Sequence, residues 1–133
     1  MTTELTLLAL SVLLLLVLIV IQAAIAVRTV GYASLAGSRD NLPPPGELLA
    51  RAKRVVDNHR EGLTIFAPLI VIAALAHISN TWTVLGAQLF FFSRVAHAVV
   101  YLFGLPHIRP LIYGVGVAGT AMVLIQVLSR AFT

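Results

Sequence analysis

The sequence contains no cysteine. That absence excludes disulfides, thiolate metal sites and a cysteine nucleophile, so any thiol chemistry must use a thiol brought by a substrate. Charge is also scarce: 11% of the 133 residues are Asp, Glu, Lys or Arg, against about 25% in a typical soluble domain. With 59% apolar residues, a soluble globular composition is excluded. Acids are the rarest charged class, five against nine Lys and Arg, for a net charge of +4. In so apolar a chain this excess marks the cytoplasmic side of a membrane protein, and no nucleic-acid partner is expected. No metal is expected either. Nothing repeats at a fixed period, and the length accommodates one membrane domain, 1–133.

What is present in quantity is long apolar runs. Leu5 to Val27 is 23 residues without a charge, and at about 1.5 Å per residue it crosses a ~30 Å hydrocarbon core. Glu4 stands where a signal peptide needs a cation. The run also exceeds the ~7–15 residues of a signal h-region, so it is read as a retained first helix. A loop follows, with Gly31, Gly37, Asp40 and the stiff run Pro43-Pro44-Pro45-Gly46. The polar segment Glu47 to Glu61 then leads into the apolar stretch Leu63 to Ile78. Together they make a helix too long for the bilayer, whose first turns project into the headgroups and which Pro68 is expected to kink. After the turn Ser79-Asn80-Thr81 comes a third span carrying Arg94 and His97. After Gly104 to Pro110 comes a fourth with Gly114, Gly116, Ala118 and Gly119, small enough for close helix approach. The expected fold class is an all-α integral membrane bundle of four transmembrane helices, approximately 4–28, 47–78, 81–104 and 107–131.

Cations set the orientation. Arg28, Arg39, Arg51, Lys53, Arg54 and Arg60 lie in the first connection and the base of the second helix, and Arg109 in the third connection. The second connection has no charge, so the first and third are expected in the cytoplasm and both termini on the opposite side.

Polar residues also fall on shared faces. Arg51, Arg54, Asn58 and Glu61 occupy one face of the second helix; Phe90, Arg94, His97 and Tyr101 one face of the third; Arg109 and Tyr113 open the fourth as an i, i+4 pair. Lys53 and Arg60 point elsewhere, as solvated cations. Two readings stand for Arg51, Arg54 and Glu61: a headgroup-binding helix base or a ligand site. Tyr101 and Tyr113 fit an interfacial aromatic belt as well as a site wall. Arg94 is more constrained. An arginine inside a span costs at least ~2.5 kcal/mol and faces a protein interior or wet cavity. Its natural partners are Asn58 and Glu61, in a structural clamp or in a site. Four guanidiniums around the one carboxylate of Glu61 want an anionic guest, most simply one with carboxylates that arginine grips bidentately.

The series Arg54-x-x-x-Asn58-x-x-Glu61, Arg94-Val-Ala-His97-x-x-x-Tyr101 and Gly104-x-Pro-x-x-Arg109-x-x-x-Tyr113 resembles the MAPEG family, the membrane-associated proteins of eicosanoid and glutathione metabolism. The resemblance runs from about Arg28 to Arg130, and the ordered combination carries its specificity. It implies a homotrimer of four-helix subunits that binds glutathione, a co-substrate, between subunits on the cytosolic side. By motif it implies Arg54, Asn58 and Glu61 as glutathione contacts, with Arg51 beside them. Arg94, His97, Tyr101 and Tyr113 would form the site wall. Arg109 would be the catalytic, thiolate-stabilising arginine, and Arg28 is a more loosely aligned contact. Two departures stand out. Pro110 occupies the place of a serine credited with catalysis in prostaglandin E synthase, which argues against that isomerase activity, and Pro68 lies later after Glu61 than the proline of mammalian members.

The expectation is therefore a membrane-bound glutathione transferase or peroxidase acting on lipophilic electrophiles or hydroperoxides from the bilayer. The alternative is a non-catalytic lipid- or ligand-binding scaffold of the same fold. A small transporter is disfavoured by the short chain and the lack of an inverted repeat.

Overall fold

A computed structural model describes residues 1–133. The chain is all-helical, with four long helices and one short one: α1 (Thr3–Val30), α2 (Tyr32–Ala36), α3 (Glu47–Leu75), α4 (Thr81–Leu102) and α5 (Arg109–Ala131). Three of them, α1, α4 and α5, are long and apolar enough to cross a membrane. Much of their outward surface is bare hydrocarbon, including Leu13, Leu16, Val20, Phe92, Leu111 and Ile125. In water that surface would drive association, whereas in a bilayer it meets a solvent of its own kind.

The helix ends follow local chemistry. Thr2 caps α1 by accepting from the Leu5 amide at 3.3 Å. With no breaker before it, the helix runs past Arg28 to Gly31, whose φ of +97° ends it. Helix α3 stops at Leu75, earlier than the apolar run does. His77 turns left-handed there (φ +54°), and the Ile78 amide returns to the Ala73 carbonyl at 2.8 Å. Helix α4 closes in the same way on Gly104 (φ +68°), with the Leu105 amide donating to the Val100 carbonyl at 3.0 Å. Both are Schellman motifs, which satisfy carbonyls a helix end leaves unpaired. At its start α4 has a reciprocal cap, Asn80 and Thr83 each accepting the other's amide. Pro110 lies in the first turn of α5, where its missing N–H costs nothing. Pro68 sits inside α3, and the helix continues through it.

Helices α3 and α4 form the centre. Helix α1 packs on both, α5 packs on both from the other side, and α1 and α5 do not meet. The apolar core has two parts. The larger joins Leu7, Leu63, Phe66, Ile70, Phe90 and Val123, with the Phe66 and Phe90 rings stacked 3.9 Å apart. The smaller joins Leu18, Val55, Val56 and Ala98. Between them lies a polar layer of buried His59, Arg94 and His97. His59 Nε2 donates to the Ser11 carbonyl at 2.8 Å and so ties α3 to α1.

Glu4 is buried at the far end of the bundle. Its Oε1 accepts from Thr83 Oγ at 2.6 Å and Ser79 Oγ at 2.9 Å, clasping the first turn of α1 to the α3–α4 turn.

The α4–α5 contact depends on glycine. A Cβ on Gly119 would stand 2.8 Å from the Phe90 amide nitrogen and would also meet the Gly86 carbonyl, both backbone atoms that cannot step aside. Gly119→Ala is therefore expected to destabilise the bundle by about 1–3 kcal/mol. Gly114→Ala, where a Cβ meets nothing within 4 Å, is expected to be neutral. Thermal unfolding of the two variants in detergent compares them directly.

Candidate functional site

Arg94 reaches from α4 into a slot between the other two helices. On the α3 side the slot is Gly62, where a Cβ would touch the guanidinium carbon at 3.4 Å; on the α5 side it is Gly116, where a Cβ would stand 2.9 Å from Nη2. Aromatic rings close the other directions, Phe90 at 5.2 Å and Tyr113 at 5.4 Å from the guanidinium carbon. Only 4% of Arg94 is exposed. Nη1 donates to Asn58 Oδ1 at 2.6 Å, while Nε has no protein acceptor. The expected ion pair to Glu61 is not formed within the chain. Glu61 is exposed and lines the same cleft as Asn58, Arg94 and Tyr113, about 240 Å³ between α3, α4 and α5. The ion pair that does form is Arg60 to Asp57 at 3.2 Å, on the surface.

A second recess of about 390 Å³ opens at the end of the bundle where α3 begins and α4 ends. Arg51, Arg54 and Arg109 line it together with Gly104 and Glu47. Tyr101 organises it from below: the guanidinium carbon of Arg109 lies 4.5 Å from its ring centre and that of Arg54 5.7 Å. The His97 ring follows at 5.3 Å from Tyr101, linking the recess to the buried polar layer. Arg51 packs against Gly104, where a side chain would collide with its Nη1. Gly104 is thus required twice, for its backbone angle and for the room it leaves an arginine.

Of the residues singled out by sequence, Arg51, Arg54 and Arg109 meet in the recess, while Asn58, Glu61, Arg94 and Tyr113 meet in the cleft. Tyr101 and His97 lie between the two groups. Arg28 stands apart, exposed on the last turn of α1 and lining neither space. Sequence reasoning missed Glu47, a second carboxylate in the recess, whose i, i+4 spacing to Arg51 was a usable signal. It also missed Gly62 and His59. Gly62 follows Glu61 directly, and a glycine inside a helix is itself a sign of close approach.

A comparison with protein-family sequence models matches the MAPEG family over residues 5–129. The chain belongs to the MAPEG family. It is accordingly an integral membrane protein, of a family concerned with glutathione and eicosanoid metabolism. No curated protein matches it individually. Both spaces described here fall within the MAPEG match, and so do all ten residues singled out from the sequence.

The Arg94–Asn58 bond is the polar contact between α3 and α4 at the heart of this arrangement. Asn58→Leu keeps the branched heavy-atom outline and removes the acceptor, leaving a buried guanidinium unpaired. A loss of about 2 kcal/mol in unfolding free energy is expected, with Asn58→Asp retaining stability. Denaturant titration of the two variants in one detergent makes the comparison.

Proposed function

We propose that this MAPEG protein is a glutathione-dependent transferase or peroxidase for lipophilic substrates that arrive from the bilayer. The observation that carries this reading is the unneutralised guanidinium set. Arg51, Arg54 and Arg109 share one recess and Arg94 lines the adjoining cleft, and none of the four is ion-paired to a carboxylate. Glutathione offers two carboxylates for arginine forks and an amino group for Glu61. The two spaces together are of the size of small-molecule sites, roughly 300–1,000 Å³.

Arg109 is the proposed catalytic residue. Its guanidinium is held over the Tyr101 ring and stays protonated through any reaction, so it acts by stabilising a thiolate and not as a base. Arg54, Asn58 and Glu61 would grip the tripeptide from α3, with Arg51 beside them. His97, Tyr101, Arg94 and Tyr113 would form the wall, and Arg28, which lines neither space within one chain, would reach the site only from a neighbouring subunit of the proposed trimer. In the transfer reaction the thiol proton leaves to solvent, a carbon–sulfur bond forms, and the electrophile's leaving group departs with the electron pair. In the peroxidase reaction two glutathione thiols are oxidised to one disulfide while a hydroperoxide is reduced to an alcohol and water.

The reading extends to architecture. Helix α3 is proposed as the fourth span, its apolar half running beside α1 and α4. The cleft is open on its outer side, where Ile65, Val117 and Leu124 are exposed. A homotrimer that covered those side chains would complete a site between subunits. The cation-rich end is proposed to face the cytoplasm, with both termini opposite.

Stopped-flow absorbance near 240 nm on detergent-solubilised protein mixed with glutathione reports thiolate formation. A glutathione-dependent rise is expected in the wild type, with Arg109→Ala abolishing it and lowering conjugation turnover about 10²-fold. No rise in the wild type, or an unchanged one in Arg109→Ala, overturns the assignment. If saturable fatty-acid binding is found without turnover, the chain is a ligand-binding scaffold.

A further inference from the structure

The largest cavity lies away from the proposed glutathione site. It holds about 600 Å³ between the second half of α1, the short α2, the proline run and the base of α3. Its inner wall is Ile19, Gln22, Ala23, Ala26, Val27 and Val30 of α1. Those positions recur at i, i+3, i+4, i+7, i+8 and i+11, a continuous stripe on one helix face. At 1.5 Å per residue the stripe is about 16 Å long, the depth of one leaflet of a ~30 Å hydrocarbon core.

The open end is built differently. Leu42, Pro43 and Pro45 roof it. A proline-rich roof suits the headgroup layer because each proline removes one amide donor that would otherwise need a partner. Arg39, Lys53 and Arg60 line the same cavity, and no carboxylate does. Arg39 is held in place, its Nε donating to the Leu35 carbonyl at 2.7 Å, which leaves both terminal nitrogens free. Lys53 makes no ion pair, and Arg60 is partly neutralised by Asp57. None of these three cations belongs to the recess or the cleft of the proposed glutathione site.

We propose that this groove is a binding site for an anionic phospholipid: one acyl chain lies along the α1 stripe and the phosphate-bearing headgroup is held by Arg39 and Lys53, with Arg60 as a weaker third contact. Charge complementarity selects this occupant. The α1 wall is apolar apart from Gln22 and every charged group lining the groove is a cation, which complements an acyl chain carrying an anionic headgroup, and a bilayer supplies such lipids at this depth. The assignment is independent of the glutathione reading.

Native mass spectrometry of the full chain in mild detergent, titrated with phosphatidylglycerol or phosphatidylcholine, tests it. Discrete phosphatidylglycerol adducts are expected, with phosphatidylcholine bound much more weakly. The Arg39→Ala/Lys53→Ala double variant should weaken phosphatidylglycerol about 30-fold and leave phosphatidylcholine unchanged, taking roughly fivefold for each cation at an anionic surface. Ala26→Phe fills the stripe and should weaken both lipids, and thermal unfolding confirms that each variant folds. Equal binding of the two lipids overturns the proposal. So does displacement of phosphatidylglycerol by millimolar inorganic phosphate, which would make this a free-anion site. The natural absence of cysteine allows a further check. Mild oxidation of the Ala26→Cys variant should give no disulfide-linked dimer, whereas a disulfide between two copies shows that protein covers the groove.

Discussion

A buried guanidinium with one hydrogen-bonded partner organises this molecule. Arg94 belongs to α4, its acceptor Asn58 to α3, and the glycines that admit it, Gly62 and Gly116, to α3 and α5. Three helices are therefore spaced by one side chain. The cost of a charge at this depth is several kcal/mol unless it is solvated by protein groups or water. Here Asn58 and the faces of Phe90 and Tyr113 supply that solvation within the chain. The two apolar clusters on either side hold the slot shut, so the polar layer is positioned by hydrocarbon packing above and below it.

The same layer connects two spaces of opposite character. One is a shallow recess of arginines and Glu47 at the polar end; the other is a mostly apolar cleft open on the outer side of the chain. Tyr101 and His97 bridge them, with Tyr101 carrying two guanidiniums near one ring. Such stacking eases the crowding of arginines that outnumber the one carboxylate beside them, because the ring face is an electron-rich surface that consumes no hydrogen-bond donors. The donors remain free for a ligand.

Much of this is legible in the sequence alone. The uncharged run Leu5 to Val27 could only be a membrane helix, and the 3- and 4-residue spacings of Arg51, Arg54, Asn58 and Glu61 put them on one face of a helix. Arg94 announced itself by its cost. What was not legible depended on groups meeting across helices. Spacing offers Arg94 both Glu61 as counter-ion and Asn58 as hydrogen-bond partner, and only the packed geometry shows the amide alone bonded within the chain. Glu47 was overlooked because it reads as a helix-opening acid, a sufficient local role that hides a tertiary one. Helices α3 and α4 end at Leu75 and Leu102, three and two residues short of the expected 78 and 104, since an apolar run does not reveal where a chain turns left-handed at His77 or Gly104. Glu4 was legible only as a misplaced charge, although it turned out to be a buried one.

That carboxylate makes the bundle asymmetric along its length. At the Glu4 end α1 is pinned to the α3–α4 turn by two short hydrogen bonds. At the other end α1 continues only into the connection of Gly31 and α2. Between the two, His59 of α3 bonds the Ser11 carbonyl and Leu18 packs among Val55, Val56 and Ala98, so the first half of α1 is held along its length. Beyond Leu18 ten residues, about 15 Å of axis, lead to Arg28, so a bend of only ~8° there carries the Arg28 tip through about 2 Å while leaving the clasp still. The cavity lined by Ile19 to Val30 consequently lies along the part of α1 that the clasp, the His59 bond and the core leave least restrained.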